Sequence, residues 1–227
     1  NVTGCLTPVA EVAAHCHRNR VPLCLDASQM AGHHPIPPCD FVCFSGHKGL
    51  LGPTGSGGLL LGAGADPAPL IRGGTGSASE SEFQPEFLPD RYESGTPDVP
   101  ALAGLRTALA FLAAPEMPAL QARECALCDE LLRGLLALPG VLPQGPGPGQ
   151  ARVPVLSITV RGRDLGEIAL ELDRREICTR VGLHCAPAAH RSLGTLTSGG
   201  TLRFSPGPFT TQEEIRETLV AMEEILA

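Results

Sequence analysis

Lysine is nearly absent from this chain: among its 17 basic residues only Lys48 is a lysine, and the rest are arginines. Arginine stays protonated and cannot form a Schiff base, whereas a desolvated lysine can, so the one position that kept an amine is a candidate for covalent chemistry. Runs of basic residues are missing too. With 24 acidic residues and a net charge of −7, nothing in the chain could track a phosphate backbone, which argues against nucleic acid as a partner. Long apolar runs are equally scarce. Apolar runs such as residues 57–61 fall far short of the roughly 20 residues that a membrane-spanning helix requires, so no membrane segment is expected. Residues 1–12 have neither a basic start nor the apolar core of a secretory signal, and they read as the interior of a longer protein.

What is present is a soluble globular composition, 227 residues with 43% hydrophobic content, enough for one large core or two modest ones. The nine cysteines are odd in number and lack the rhythm of a secreted module, which suggests reduced thiols and a cytoplasmic location. Cys125 and Cys128 form one CxxC inside an Ala- and Leu-rich helical run. With no second ligand pair they read as small packing residues, and no metal is expected.

The apolar periodicity predicts a helix over 7–20, a short buried strand over 21–25 ending in Asp26, and further strands over 41–44 and 57–61. Residues 71–97, rich in Gly, Ser, Pro and Glu, predict a long loop of the kind that is usually functional or disordered. Helices are expected over 99–112 and 118–138, then a Pro/Gly connector over 139–149. A second α/β unit follows: a strand over 153–160, a helix over 165–174, strands over 177–180 and 201–205, and a last helix capped by Thr210 or Thr211 with Glu213 and Glu214 in its first turn. The domain boundary is placed between Leu112 and Pro118, giving domains 1–114 and 115–227.

Asp26 ends a strand, where open α/β sheets place ligand groups, although an acid there also serves as a helix cap or turn residue. Gln29 lies one helical turn beyond it. Ser45 and His47 flank the turn that presents Lys48. A lysine amine for an aldehyde, a carboxylate for a pyridine nitrogen, and hydroxyl or imidazole donors for a phosphate are what pyridoxal phosphate requires.

At these residues the chain resembles the class V aminotransferase family, specifically its cysteine desulfurase branch with its selenocysteine-lyase-like members. The likeness runs in family order through Asn1-Val2-Thr3-Gly4, Asp26-Ala27-Ser28-Gln29, Ser45-Gly46-His47-Lys48 with Gly52-Pro53 and Gly57-Gly58, Gly73-Gly74-Thr75-Gly76, Glu93-Ser94-Gly95-Thr96-Pro97, Gly182-Leu183-His184-Cys185-Ala186 and Leu202-Arg203-Phe204-Ser205. Asp98 departs from the family's usual Asn after Thr-Pro.

The resemblance implies an α/β fold of the aspartate-aminotransferase type (fold type I), here a partial large domain followed by a C-terminal small α/β domain. A preceding region, including a side chain that stacks on the cofactor ring, is implied upstream of Asn1. Pyridoxal 5'-phosphate is the implied cofactor, carried by Lys48. Asp26 would pair with the pyridinium, Gln29 contact the ring oxygen, Ser45 and His47 bind the phosphate, and Thr75 reach the phosphate of a neighbouring subunit in a homodimer. Arg203, assisted by Asn1, would clamp the substrate carboxylate. Cys185 would be the nucleophile that takes sulfur from L-cysteine as a persulfide, leaving L-alanine, with His184 helping to lower its pKa and a sulfur-acceptor protein downstream. Selenocysteine lyase, aminotransferase or epimerase activity, or an inactive fragment, are the alternatives.

Overall fold

The computed structural model describes residues 1–227. The chain divides into two compact units, one of residues Pro8–Ala114 and one of Asn1–Thr7 with Pro115–Ala227.

The first unit opens with α1 (Val9–Arg18), whose first turn carries Glu11 and whose last turn carries His15, His17 and Arg18, the charge order that a helix dipole favours. Strand β1 is only Cys24–Asp26, shorter than its apolar run, because Pro22 has no N–H to give to a ladder. It pairs in parallel with β2 (Phe41–Ser45), Asp26 opposite Cys43. Strand β3 (Gly57–Leu61) then runs antiparallel to β2. Helix α2 (Val99–Leu112) is capped by Asp98, whose carboxylate accepts from the Ala101 amide at 3.0 Å. Leu105 of α2 joins Ala27, Ala31, Val42 and Leu50 in a small core. Residues 71–97 contain neither helix nor strand, as expected, but are tied down locally: Arg91 pairs with Asp66 at 2.6 Å, and the Tyr92 hydroxyl donates to the Pro67 carbonyl at 2.8 Å.

The second unit is an antiparallel sheet with helices over one face. Its order is β4 (Val141–Pro143), β5 (Leu156–Val160), β7 (Thr201–Phe204) and β6 (Arg180–Gly182). Helices α3 (Met117–Leu136), α4 (Leu165–Asp173) and α6 (Gln212–Leu226) supply its larger core, in which Leu132, Leu135, Ile168, Leu172 and Met222 meet Leu156, Ile158, Leu202 and Phe204 of the strands. Thr211 caps α6 reciprocally with Glu214, resolving the Thr210/Thr211 choice.

Four features differ from the sequence expectation, the first being that the strand expected over 177–180 forms over Arg180–Gly182 instead. Asn1–Thr7 pack with the second unit rather than with residues 8–114: Ser157 Oγ donates to the Val2 carbonyl at 2.5 Å, the Val153 amide donates to the Gly4 carbonyl at 3.0 Å, and Cys5 forms a bridge with Arg152. The Pro/Gly connector holds β4, too short for its alternation to show. The segment after Cys185 forms a helix, α5 (Pro187–Leu193), seven residues started by Pro187 and stopped by a left-handed Gly194.

Leu172 is fully buried while Leu142, on the edge strand, is 37% exposed. Leu172→Ala should therefore cost about 2–5 kcal/mol in equilibrium urea unfolding, and Leu142→Ala less than about 1 kcal/mol. Equal losses would show that the second unit does not depend on this core.

Candidate active site

In the first unit the chemistry collects at the C-terminal ends of the parallel strands β1 and β2. Asp26 closes β1 and Ser45 closes β2. Ser28, a residue that sequence reasoning passed over, links them: its amide donates to Asp26 Oδ1 at 2.9 Å, and its hydroxyl accepts from Ser45 Oγ at 3.2 Å. The Ser28 side-chain and backbone hydrogen bonds hold the Asp26 carboxyl below its ordinary pKa despite partial desolvation, and the nearby Lys48 charge adds to the lowering. Asp26 is thus an anion beside an amine. The signal for Ser28 was its position two residues after an Asp, where an Asx turn closes.

Lys48 itself is exposed in the turn after β2, with His47 exposed next to it. The Leu51 amide donates to the Lys48 carbonyl at 2.8 Å, and the Gly52 amide donates to the Gly46 carbonyl at 2.7 Å. The turn after Asp26 presses on this one through bare backbone. A Cβ added at Gly32 (φ +90°) would stand 2.0 Å from the Gly49 carbonyl oxygen, so no larger residue fits between the Asp26 and Lys48 turns. Gln29 is half-buried in the Asp26 turn. Thr75 is not part of this group; it lies in the 71–97 segment and shares a 2.9 Å hydrogen bond with Ser77. An ionised carboxylate, an amine and clustered hydroxyls at strand ends suit a phosphorylated pyridine aldehyde, so the residues present fit the implied cofactor.

In the second unit the site forms on the sheet face opposite the helices. Strand alternation sends Leu202 and Phe204 into the core, leaving Thr201 and Arg203 on the other face. Arg203 Nη1 donates to the Asn1 carbonyl at 2.9 Å, and Asn1 Nδ2 donates to the His184 carbonyl at 2.6 Å. Asn1, His184, Cys185 and Arg203 are brought together. Arg180, which sequence reasoning missed, stands opposite Arg203 across the β6–β7 pair and points a guanidinium N–H at Cys185 Sγ, 3.8 Å away. Only the strand register reveals it. Neither arginine forms an ion pair. Burial and the Arg180 charge push the Arg203 pKa down, while Cys185 acts in the opposite direction. Two like charges side by side destabilise a ladder, and an anionic ligand would relieve them.

His184 does not play the expected part. It is 3% exposed, its Nε2 meets Thr201 Oγ1 at 2.9 Å, and burial, followed by the charge of Arg203, pushes its pKa down to about 4. A ring that is neutral near pH 7 supplies no positive charge to a thiolate. Arg180 and Arg203 are the cations beside Cys185. Cys125 and Cys128 stay apart from this chemistry; Cys128 is fully buried and its thiol is pushed up to about 12, and no metal-ligating cluster exists anywhere in the chain. A cleft of about 500 Å³ between Arg175–Cys178 and the start of α6 contains none of these residues. No helix is long and apolar enough to cross a membrane.

The first unit thus holds a lysine turn beside a carboxylate at parallel strand ends, and the second holds a cysteine beside paired arginines on a small α/β sheet. The family model of aminotransferase class V matches residues 1–218, and the chain belongs to that family. A probable cysteine desulfurase of Mycobacterium leprae is 34% identical over 97% of this chain and 54% of its own length. One from Streptomyces coelicolor is 34% identical over 99% of this chain and 55% of its own. The apo cysteine desulfurase of Thermococcus onnurineus superposes with a TM-score of 0.87 at 30% identity, and an Escherichia coli cysteine desulfurase in S-sulfonic acid form with 0.87 at 28%. Each alignment covers all of this chain and 57% of the solved one. The chain therefore spans about half the length of the relatives it matches.

Between its ordinary value of 6.5 and about 4, His184 stays neutral in the folded protein while the same side chain protonates when unfolded. The unfolded state then binds more protons, so stability should fall as pH drops from about 6.5 toward 4. Calorimetric melting midpoints across this window should slope down in the parent and more shallowly in His184→Gln. Parallel slopes would show that other groups carry the acid sensitivity.

Proposed function

We propose that this chain carries the cofactor-binding and sulfur-abstracting residues of a pyridoxal-phosphate-dependent cysteine desulfurase, converting L-cysteine to L-alanine and leaving the sulfur on Cys185. The observation that carries this reading is an exposed cysteine thiol with Arg180 aimed at its sulfur and Arg203 alongside, both arginines without a carboxylate partner. A transaminase or epimerase has no use for a thiol there.

Lys48 is the residue that holds the cofactor, Asp26 the anion for its ring nitrogen, and Ser45, Ser28 and His47 the donors around its phosphate, with Gln29 at the ring oxygen. When bound, the cofactor supplies an electron sink for the substrate's carbon atoms. Arg203 clamps the substrate carboxylate through its planar fork, and the Asn1 carbonyl keeps that fork in place. The Cys185 thiolate attacks the substrate sulfur, the carbon–sulfur bond breaks, and its electron pair stays with the substrate carbon, which takes a proton to become the alanine methyl group. The outgoing sulfur forms the S–S bond of a Cys185 persulfide. Arg180 directs a guanidinium N–H toward the sulfur and orients it. An acceptor protein's thiol then removes the sulfur. On the family resemblance, Thr75 belongs to the phosphate site of a second copy, which makes a homodimer the active form.

Borohydride reduction of the full-length holoprotein followed by peptide mapping should place the pyridoxyl group on Lys48. Labelling elsewhere would refute the assignment. With L-cysteine as substrate under reducing conditions, Cys185→Ser should lower alanine formation by about three orders of magnitude, because a serine hydroxyl stays protonated and forms no persulfide. Arg203→Ala should instead raise KM by roughly ten- to hundred-fold, the value of a charge-assisted hydrogen bond of about 1.5–3 kcal/mol. Near-parental turnover in Cys185→Ser would return the assignment to another member activity of the family.

A further inference from the structure

His184 and Cys185 are consecutive residues with φ of 49° and 60°. Both carry side chains, and the left-handed region is costly for each, so two in a row persist only where the surroundings impose them. The restraints are visible. His184 Nε2 meets the fully buried Thr201 hydroxyl at 2.9 Å. The His184 carbonyl is held by Asn1 Nδ2 at 2.6 Å, and the Ala186 amide closes the turn onto the Leu183 carbonyl at 2.8 Å. Below the turn the strands touch through bare backbone: a Cβ at Gly200, the residue before Thr201, would lie 2.1 Å from the Gly182 carbonyl oxygen. His190 backs the ring, 5.7 Å away between centroids, and is itself fixed by a 2.8 Å bond from its Nδ1 to Thr195 Oγ1.

This anchorage has a cost that a purely structural contact would avoid. His184 Nδ1 is buried with no hydrogen-bond partner, as is His190 Nε2. An apolar residue at 184 would remove that penalty, but it would also free the turn. Arg203, Arg180 and His190 are the charged or titratable groups facing the ring, and all three disfavour a second proton on it. The ring is therefore neutral and held at Nε2 by the Thr201 hydroxyl.

We propose that Thr201 and His184 are positioning residues: their hydrogen bond locks the left-handed pair and so sets the direction in which Cys185 presents its sulfur between Arg180 and Arg203. The inference rests on reading Cys185 as the nucleophile. Thr201 lies on the same strand face as Arg203, one alternation away, so β7 holds the nucleophile's support and the carboxylate clamp in a single rigid frame.

The test uses the full-length holoenzyme. Thr201→Val keeps the shape and removes the hydroxyl; kcat for alanine formation should fall by about ten- to hundred-fold, as expected for a misplaced reacting group, with KM for L-cysteine changed less than about two-fold. Alkylation of Cys185 by iodoacetamide, mapped by peptide and followed against pH, should change in plateau rate while its midpoint stays in place. Thr201→Ser should restore both. An unchanged kcat and plateau rate in Thr201→Val, or a midpoint moved by a full pH unit, would overturn the proposal, the second by showing that the pair acts on proton affinity. Should Thr201→Val fail to fold, ¹⁵N shifts of His184 in the parent decide: a single neutral tautomer throughout pH 6–8 supports the proposal, and a ring titrating near 6.5 refutes it. Cys185→Ser, assayed in parallel, tests the nucleophile reading separately, because the alkylation rates and ring shifts do not depend on turnover.

Discussion

Strand β7 carries the second unit's chemistry and its core on alternate residues, and its register is the constraint on which the rest depends. Leu202 and Phe204 are buried against Leu156, Ile158 and the helices, which forces Thr201 and Arg203 to the other face. A slip of one residue would bury an arginine and expose two large apolar side chains, so the hydrophobic core and the site specify the same register. Pairing with β6 then places Arg180 opposite Arg203, and the short β6-to-α5 connection delivers Cys185 to both. The apolar energy that folds this unit is thereby also what aligns its cations.

The first unit reaches its arrangement by other means. Its core is small, and the elements that present Asp26 and Lys48 are turns at strand ends rather than packed helices. What keeps these turns in place is close backbone contact, with Gly32 against Gly49, and a chain of polar contacts from Ser45 through Ser28 to Asp26. Here glycine is required by space as much as by conformation. The result is an ionised carboxylate near an amine, the electrostatic pairing that a pyridinium cofactor exploits.

Across both units, polar groups are supported by neighbouring polar groups. Ser28 supports Asp26, Asn1 supports Arg203 and the His184 carbonyl, and Thr201 supports His184. Such supports are what hold reacting atoms within the small tolerances that catalysis allows. His184 shows how burial changes a residue: a histidine beside a cysteine suggests a charged helper, yet desolvation and neighbouring arginine charge leave it neutral.

The amino-acid sequence alone determined the alternation of helices and strands, the long 71–97 loop, the singular Lys48, and the order of motifs from Asn1 to Arg203, because periodicity, composition and local spelling are properties of neighbouring residues. It left β4 and α5 unseen, since three and seven residues are too few to establish a period. Only the tertiary structure decided that Asn1–Thr7 join the C-terminal unit, that Ser28 bonds to both Asp26 and Ser45, that Arg180 points at Cys185 while His184 is buried and neutral, and that Thr201 meets the His184 ring. Each of these depends on which residues face each other across strands separated in sequence, and on how much water burial removes. Neither quantity is written in any local stretch of the chain.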